Sequence, residues 1–260
     1  MNYRRILVIG DMHGKFTRLL SLFHKIKFDE RKDFLILLGD YIDRGEENMR
    51  CFRWAMEMSE KPNVIALRGN HEQMMLYYYA LGGTEGYIWL PNGGNKTKAE
   101  FDEWCKRDST AFQRALEFIN NRPYYHQMTI NDAEYIFVHA GLNPKKSLAE
   151  QEEEDLLWIR EQFFTAYDGE KIVVVGHTPV VFLPTDEEIQ AMLETDKDIL
   201  NDEQKASSLY VNLDEEERIP EFKPQWRRGG KILMMDTGSF LRDGCISCID
   251  LVSGDLWQSD

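Results

Sequence analysis

The sequence predicts an α/β fold. Two patterns carry that expectation. Short apolar runs repeatedly end in a glycine beside an acid, amide or histidine, and the stretches between them place apolar residues at helical spacing. The first run, Ile6-Leu7-Val8-Ile9, leads into Gly10-Asp11-Met12-His13-Gly14, and Phe16, Leu19, Leu20, Phe23 and Ile26 then mark one face of a helix. The second, Phe34-Leu35-Ile36-Leu37-Leu38, stops at Gly39-Asp40-Tyr41-Ile42-Asp43-Arg44-Gly45. A run of this length between turn residues reads as a strand buried on both faces. A helix carrying Met49, Phe52, Trp54 and Met56 follows.

Val64-Ile65-Ala66-Leu67 is the third strand; it enters Arg68-Gly69-Asn70-His71-Glu72, where a helix starts that runs to Gly82-Gly83. Residues 84–122 read as a helical, cap-like segment. Trp89 to Gly94 suit a pocket wall, and Thr97-x-x-Glu100 has the form of a capping box for the helix with Phe101 and Trp104. A further helix carries Phe112, Ala115, Leu116 and Ile119, and Pro123 ends the segment. Strands then run into His139-Ala140-Gly141 and Gly176-His177-Thr178-Pro179, with one helix expected over 153–166 between them. Residues 184–229 are dominated by Asp and Glu and read as an acidic, partly helical surface insertion. Apolar runs at 232–235 and 245–249 close the chain around Asp236-Thr237-Gly238. No linker divides it, so residues 1–260 are expected to form one domain.

Composition narrows the function. A hydrophobic share of 43% supports a full core, and 45 Asp+Glu against 31 Lys+Arg give a net charge of -14. Such a chain repels nucleic-acid backbones and anionic membranes, and an anionic substrate needs a locally positive site. No apolar stretch spans a bilayer, and the first apolar run is too short for a signal-peptide core, so the expectation is a cytoplasmic protein. Oligomeric state is not readable. Four cysteines do not make a disulfide scaffold, and Cys245-x-x-Cys248 lacks a second pair for a zinc site, so buried thiols are expected, Cys51 and Cys105 included.

Chemistry concentrates at the strand ends. Ligands gather at the carboxyl ends of strands in open α/β sheets, and five such turns offer Asp11, His13, Asp40, Asn70, His139 and His177. These oxygen and imidazole donors suit Mn²⁺, Fe or Zn²⁺. Two neighbouring ions need a shared ligand, for which a carboxylate is well suited. A lone histidine after a strand is ordinarily a hydrogen-bonded loop residue, as His24 and His126 are expected to be. Three of six histidines ending or following apolar strands, beside two aspartates, are more than turn chemistry.

In order and spacing, the blocks 10–14, 39–45, 68–72, 138–141 and 176–179 resemble the calcineurin-like metallophosphoesterases, more narrowly the bacterial and bacteriophage Ser/Thr branch of the phosphoprotein phosphatases. The resemblance runs along nearly the whole chain outside 184–229. It implies a four-layer α/β/β/α sandwich of two mixed sheets flanked by helices, with the site at the strand ends. It also implies two divalent metal ions, Mn²⁺ first, with Asp11 and His13 on one, Asp40 bridging, and Asn70, His139 and His177 on the other. The implied reaction is in-line attack of a dimetal-bound hydroxide on a phosphomonoester. His71 is then the general acid, Asp43 its orienting partner, and Arg44, Arg68 and Arg160 the ligands of the phosphoryl oxygens. Asp236 is expected to be structural, because the implied ligand set leaves it no metal position.

Phosphoserine or phosphothreonine, in a protein or a smaller phosphorylated compound, is the leading substrate. The runner-up is symmetrical hydrolysis of diadenosine tetraphosphate by the same centre. His71-Glu72 leans toward the protein phosphatases, since the nucleotide hydrolases often carry His-Asp there. A departure from the pattern, Glu46-Glu47-Asn48 after Gly45, and the length of the insertion bear on substrate access rather than on mechanism. A metal-bound scaffold without turnover is the third reading, opposed by the retention of His71 and Asp43.

Overall fold

The computed structural model describes residues 3–82, 87–183, 185–187 and 221–260. In the first sheet β1 (Arg5–Ile9), β2 (Asp33–Leu37) and β3 (Val64–Ala66) are parallel neighbours. The second has β4 (Tyr125–Ile130), β5 (Ala133–Val138), β6 (Ile172–Val175), β7 (Gln225–Arg227) and β8 (Ile232–Met234), in spatial order β4-β5-β6-β8-β7. β9 (Ser247–Asp250) and β10 (Leu256–Gln258) extend the first sheet antiparallel beyond β1. β5, β6 and β8 are parallel, with antiparallel strands at both edges.

Alternation of side chains across each strand explains the layers. Ile6, Val8, Phe34 and Ile36 from one sheet share a core with Phe137, Val174 and Leu233 from the other. The residues between them, Leu7, Ile9, Leu35 and Leu37, join a second core with the helices of that side. Val173, Val175, Ile232 and Met234 do the same on the far side with Phe163 and Phe164. Both faces of both sheets are therefore covered, as the uninterrupted apolar runs require. Each fully buried Val, Leu or Ile contributes about 1.5–3 kcal/mol.

The outer helices are α1 (Phe16–Ile26), α2 (Asn48–Ser59), α3 (Asn70–Ala80), α4 (Asn95–Arg107), α5 (Ala111–Asn120), α6 (Glu153–Trp158) and α7 (Glu161–Ala166). The helix expected over 153–166 is two helices, because the backbone leaves helical geometry at Ile159 and at Arg160 (φ -132, ψ -101). The capping box expected at Thr97 is absent. Thr97 lies inside α4, and Glu100 instead accepts the backbone N–H groups of Asn48 and Met49, capping α2.

Of the acidic insertion expected over 184–229, residues 184 and 188–220 lie outside the described residues, and its end is strand β7. β4 and β10 were not expected. β4 is an edge strand of mixed polarity, and His126 on it stacks between Phe34 and Phe137 at 6.2 and 6.4 Å. The four cysteines are free thiols, with Cys51 and Cys248 buried. No helix among the described residues is long and apolar enough to cross a membrane.

Candidate metal centre

Six strands of the two sheets, β1, β2, β3, β5, β6 and β8, are parallel to a neighbour, and the chain beyond each supplies a turn to one edge. Hydrogen bonds tie those turns together. Met12 and His13 donate backbone N–H groups to Asp40 O at 3.0 and 2.9 Å. His139 Nδ1 bonds Leu38 O at 2.9 Å and the His177 backbone N–H donates to Asp11 Oδ2 at 2.9 Å, each linking one sheet to the other.

Two groups of side chains bring their donor atoms within 4.8 Å of one another: His13, Asp40 and His71, and Asp40, His139 and His177. Asp40 belongs to both, through Oδ2 to His13 Nε2 at 3.6 Å and through Oδ1 to His139 Nε2 at 3.4 Å. Asp11 stands beside these groups, held by the His177 N–H, with its other oxygen unpartnered. The Asn70 amide oxygen lies 2.9 Å from His139 Nε2, 3.2 Å from His177 Nδ1 and 3.2–3.3 Å from both Asp40 oxygens.

A converging set of lone pairs is repulsive unless a proton donor or a cation sits among them. The amide's orientation is assigned from its neighbours, and a cation makes the oxygen-inward orientation favourable. Asp11 Oδ1 and His177 Nε2 are likewise buried without a partner. Oxygen and imidazole donors with unspent lone pairs fit a pair of divalent ions.

For the three histidines and Asp40 the environment sets the protonation states in the same sense. Burial pushes the His139 imidazole down; burial together with Arg44 does so for His13, and burial together with Arg160 for His177. Neutral imidazole is the form that coordinates metals. Burial opposes the charge of Asp40, but the surrounding imidazoles, His139 foremost, hold its carboxyl below the ordinary range. Burial pushes Asp11 well up, aided by the charges of Asp236 and Asp40.

The backbone is strained here as well. Among the described residues nine non-glycine positions have positive φ, and five of them are His13, Asp40, Asp43, Arg44 and His177. Such conformations cost on the order of 1–3 kcal/mol each and cluster where function requires them. Glu72 holds the Asp40 turn: its carboxylate accepts backbone N–H groups from Asp40, Tyr41, Ile42 and Gly69.

His71 bonds Asp43 Oδ2 through Nδ1 at 2.6 Å, leaving Nε2 3.9 Å from Asp40 Oδ2. Asp43 also accepts from Trp89 Nε1 at 2.8 Å and from the Thr97 hydroxyl. The segment bearing Trp89 and Thr97 thus fixes this pair, a role no local sequence pattern announces. Arg44 places Nη1 3.2 Å from His13 Nε2 and lies over the Phe240 ring at 4.4 Å. Arg160 Nη1 donates to His177 O and Thr178 Oγ1 at 3.3 and 3.0 Å, because the break before α7 turns it back toward the centre.

Arg68 is different. Its terminal nitrogens donate to Gln73 Oε1, Tyr124 Oη, Asn120 O and Arg122 O, and its guanidinium stacks on Tyr124 at 4.5 Å. With all four terminal N–H groups used, Arg68 ties α3 to the end of α5, and the phosphate-binding role expected for it has no donors left but a buried Nε.

Comparison with known proteins agrees with this geometry. The calcineurin-like phosphoesterase family model matches residues 4–203. Serine/threonine-protein phosphatase 1 of Salmonella typhimurium is 30% identical over 189 residues, covering 69% of this chain and 81% of that protein. The symmetrical bis(5'-nucleosyl)-tetraphosphatase of Methylobacillus flagellatus is 36% identical over 143 residues, covering 55% of this chain and 45% of that protein. The cold-active protein-tyrosine phosphatase of a psychrophilic Shewanella species superimposes with a TM-score of 0.56 at 14% identity, covering 99% of this chain and 81% of that one. At that identity the likeness concerns the fold alone.

Proposed function

We propose, from the premise that this chain belongs to the calcineurin-like phosphoesterase family and is a metal-dependent phosphoesterase, that it hydrolyses phosphoserine and phosphothreonine esters. Asp11, His13 and Asp40 hold one divalent ion, and Asp40, Asn70, His139 and His177 the other, with Mn²⁺ first among Mn²⁺, Fe and Zn²⁺. When bound, the ions supply Lewis acidity at the phosphoryl group and lower the pKa of water.

The protein's own part is orientation, charge and one proton. Arg44 and Arg160 flank the two clusters and bind the phosphoryl oxygens, for which a guanidinium fork is well shaped. His71, its Nδ1 engaged by Asp43, presents Nε2 toward the centre and delivers a proton to the departing alkoxide. The 2.6 Å His71–Asp43 pair beside Asp40 is the observation that carries this reading, since ion binding alone needs no proton donor.

Similarity to a symmetrical bis(5'-nucleosyl)-tetraphosphatase supports a second reading, cleavage of a dinucleoside polyphosphate at the same centre. Parallel turnover of a phosphothreonyl peptide and diadenosine tetraphosphate by Mn²⁺-loaded protein separates the two. The expected kcat/KM favours the peptide; a preference of about a hundredfold for the dinucleotide, some 2.7 kcal/mol in transition-state binding, reverses the order.

A further inference from the structure

The chain beyond β8 enters Asp236-Thr237-Gly238, the turn that the implied ligand set leaves without a role. Its placement argues otherwise. The Met235 N–H donates to Val175 O at 2.7 Å and the Val180 N–H to Asp236 O at 2.9 Å, which locks the turn beside the one carrying His177. On its other side the Met235 carbonyl oxygen lies 2.2 Å from where a Cβ would project at Gly10, so glycine there lets the Asp11 turn close on the same strand.

Asp236 is wholly buried. Its Oδ1 accepts the Gly238 N–H at 2.9 Å, which fixes the carboxylate, while Oδ2 has no partner. Asp11 Oδ1, which lies 2.1 Å from where a Cβ would project at Gly176 in the turn carrying His177, is also buried and unpartnered. Two buried carboxyl oxygens without donors are costly in a protein interior. Their missing partner is a proton donor or a cation. Like Asp11, Asp236 lies outside both groups of donor atoms that converge within 4.8 Å.

We propose that Asp236 is a positioning carboxylate of the metal centre, its free Oδ2 accepting a hydrogen bond from a water carried by the cation on the Asp11 side. Such a water meets the Asp236 oxygen through a proton, while the Asp11 oxygen meets the cation itself. Asp236 thereby fixes the water and adds negative charge to the half of the centre that has fewer imidazoles. This inference rests on reading the Asp/His cage as a two-ion centre.

Calorimetric titration of metal-free protein with MnCl₂ tests it, comparing wild type with Asp236→Asn, with folding checked by circular dichroism. The wild type is expected to bind two ions. The variant is expected to lose about tenfold or more in affinity for one of them and to keep the other, the effect usual for a carboxylate behind a metal's ligands. Both affinities within about twofold of wild type would overturn the proposal, whereas wild-type protein that binds no Mn²⁺ would overturn the two-ion reading itself. Should the variant not fold, anomalous scattering from Mn²⁺-loaded wild-type crystals decides. An Asp236 Oδ2 within about 3 Å of a water on an ion supports the role, and one contacting protein groups alone rejects it.

Discussion

His71 and Asp43 sit on different strand-end turns, and neither turn holds the pair unaided. The imidazole is oriented by Asp43, and Asp43 by Trp89 and Thr97. If His71 donates the proton, His71→Asn should lower kcat by about 10²–10⁴-fold and leave Mn²⁺ affinity nearly unchanged. Rate against titrated metal occupancy checks this; a variant that loses both ions with its activity would make His71 a ligand instead. Asp40 carries the opposite expectation. It is shared by both clusters, so Asp40→Asn should lose occupancy as well as rate.

At the scale of elements, α4 serves two turns. Thr97 bonds Asp43, while Glu100, one helical turn on, caps the N-terminus of α2. Thr97→Val keeps the shape and removes the hydroxyl, so kcat is expected to fall with little change in melting temperature. Glu100→Ala is expected to cost about 1 kcal/mol in a urea titration, as lost caps do, and to leave metal affinity unchanged. Equal effects of both substitutions on rate would contradict this division.

β1 and β2 are joined across the register pair Arg5 and Asp33, where Asp33 accepts from both Arg4 and Arg5. Burial opposes the Asp33 charge, but the Arg5 side chain, the Asp29 N–H and Arg4 more than offset it and hold its carboxyl low. A carboxylate depressed in the folded state contributes stability above its unfolded pKa of about 3.9 and loses it as pH falls through the folded value. The gap in unfolding free energy between wild type and Asp33→Asn, about 2 kcal/mol at pH 7 from urea titration, should therefore persist to about pH 4 and narrow below it. A gap unchanged at pH 3 would exclude this origin.

For the whole molecule, the centre is where the two sheets meet, drawing on turns of both, so ions there join the layers. Chelation should lower the melting temperature, and added Mn²⁺ should restore it in a concentration-dependent way, with a stabilisation of about 2.7 kcal/mol per site at a hundred times Kd. Calorimetric scans over a range of free Mn²⁺ check this; a melting temperature indifferent to Mn²⁺ would place the ions outside the folding unit or nowhere.

Much of this was legible beforehand for a local reason. A strand buried on both faces must be apolar throughout, and the turn beyond it must break sharply, so Ile6 to Gly14 and Phe34 to Gly45 show both structure and chemistry in a few residues. By itself the sequence determined the α/β class, the fully apolar strands and the Asp, Asn and His donors at their ends. Those depend on period and turn chemistry, which act over a few positions. Tertiary structure alone decided that Arg68 spends its donors on α5 and Tyr124, that Arg160 turns back on His177, that Glu100 caps a helix not its own, and that the Asp236 turn is bonded to the one that follows His177. Each of these depends on which distant segment a side chain meets, and packing of the layers, not local spacing, selects that partner.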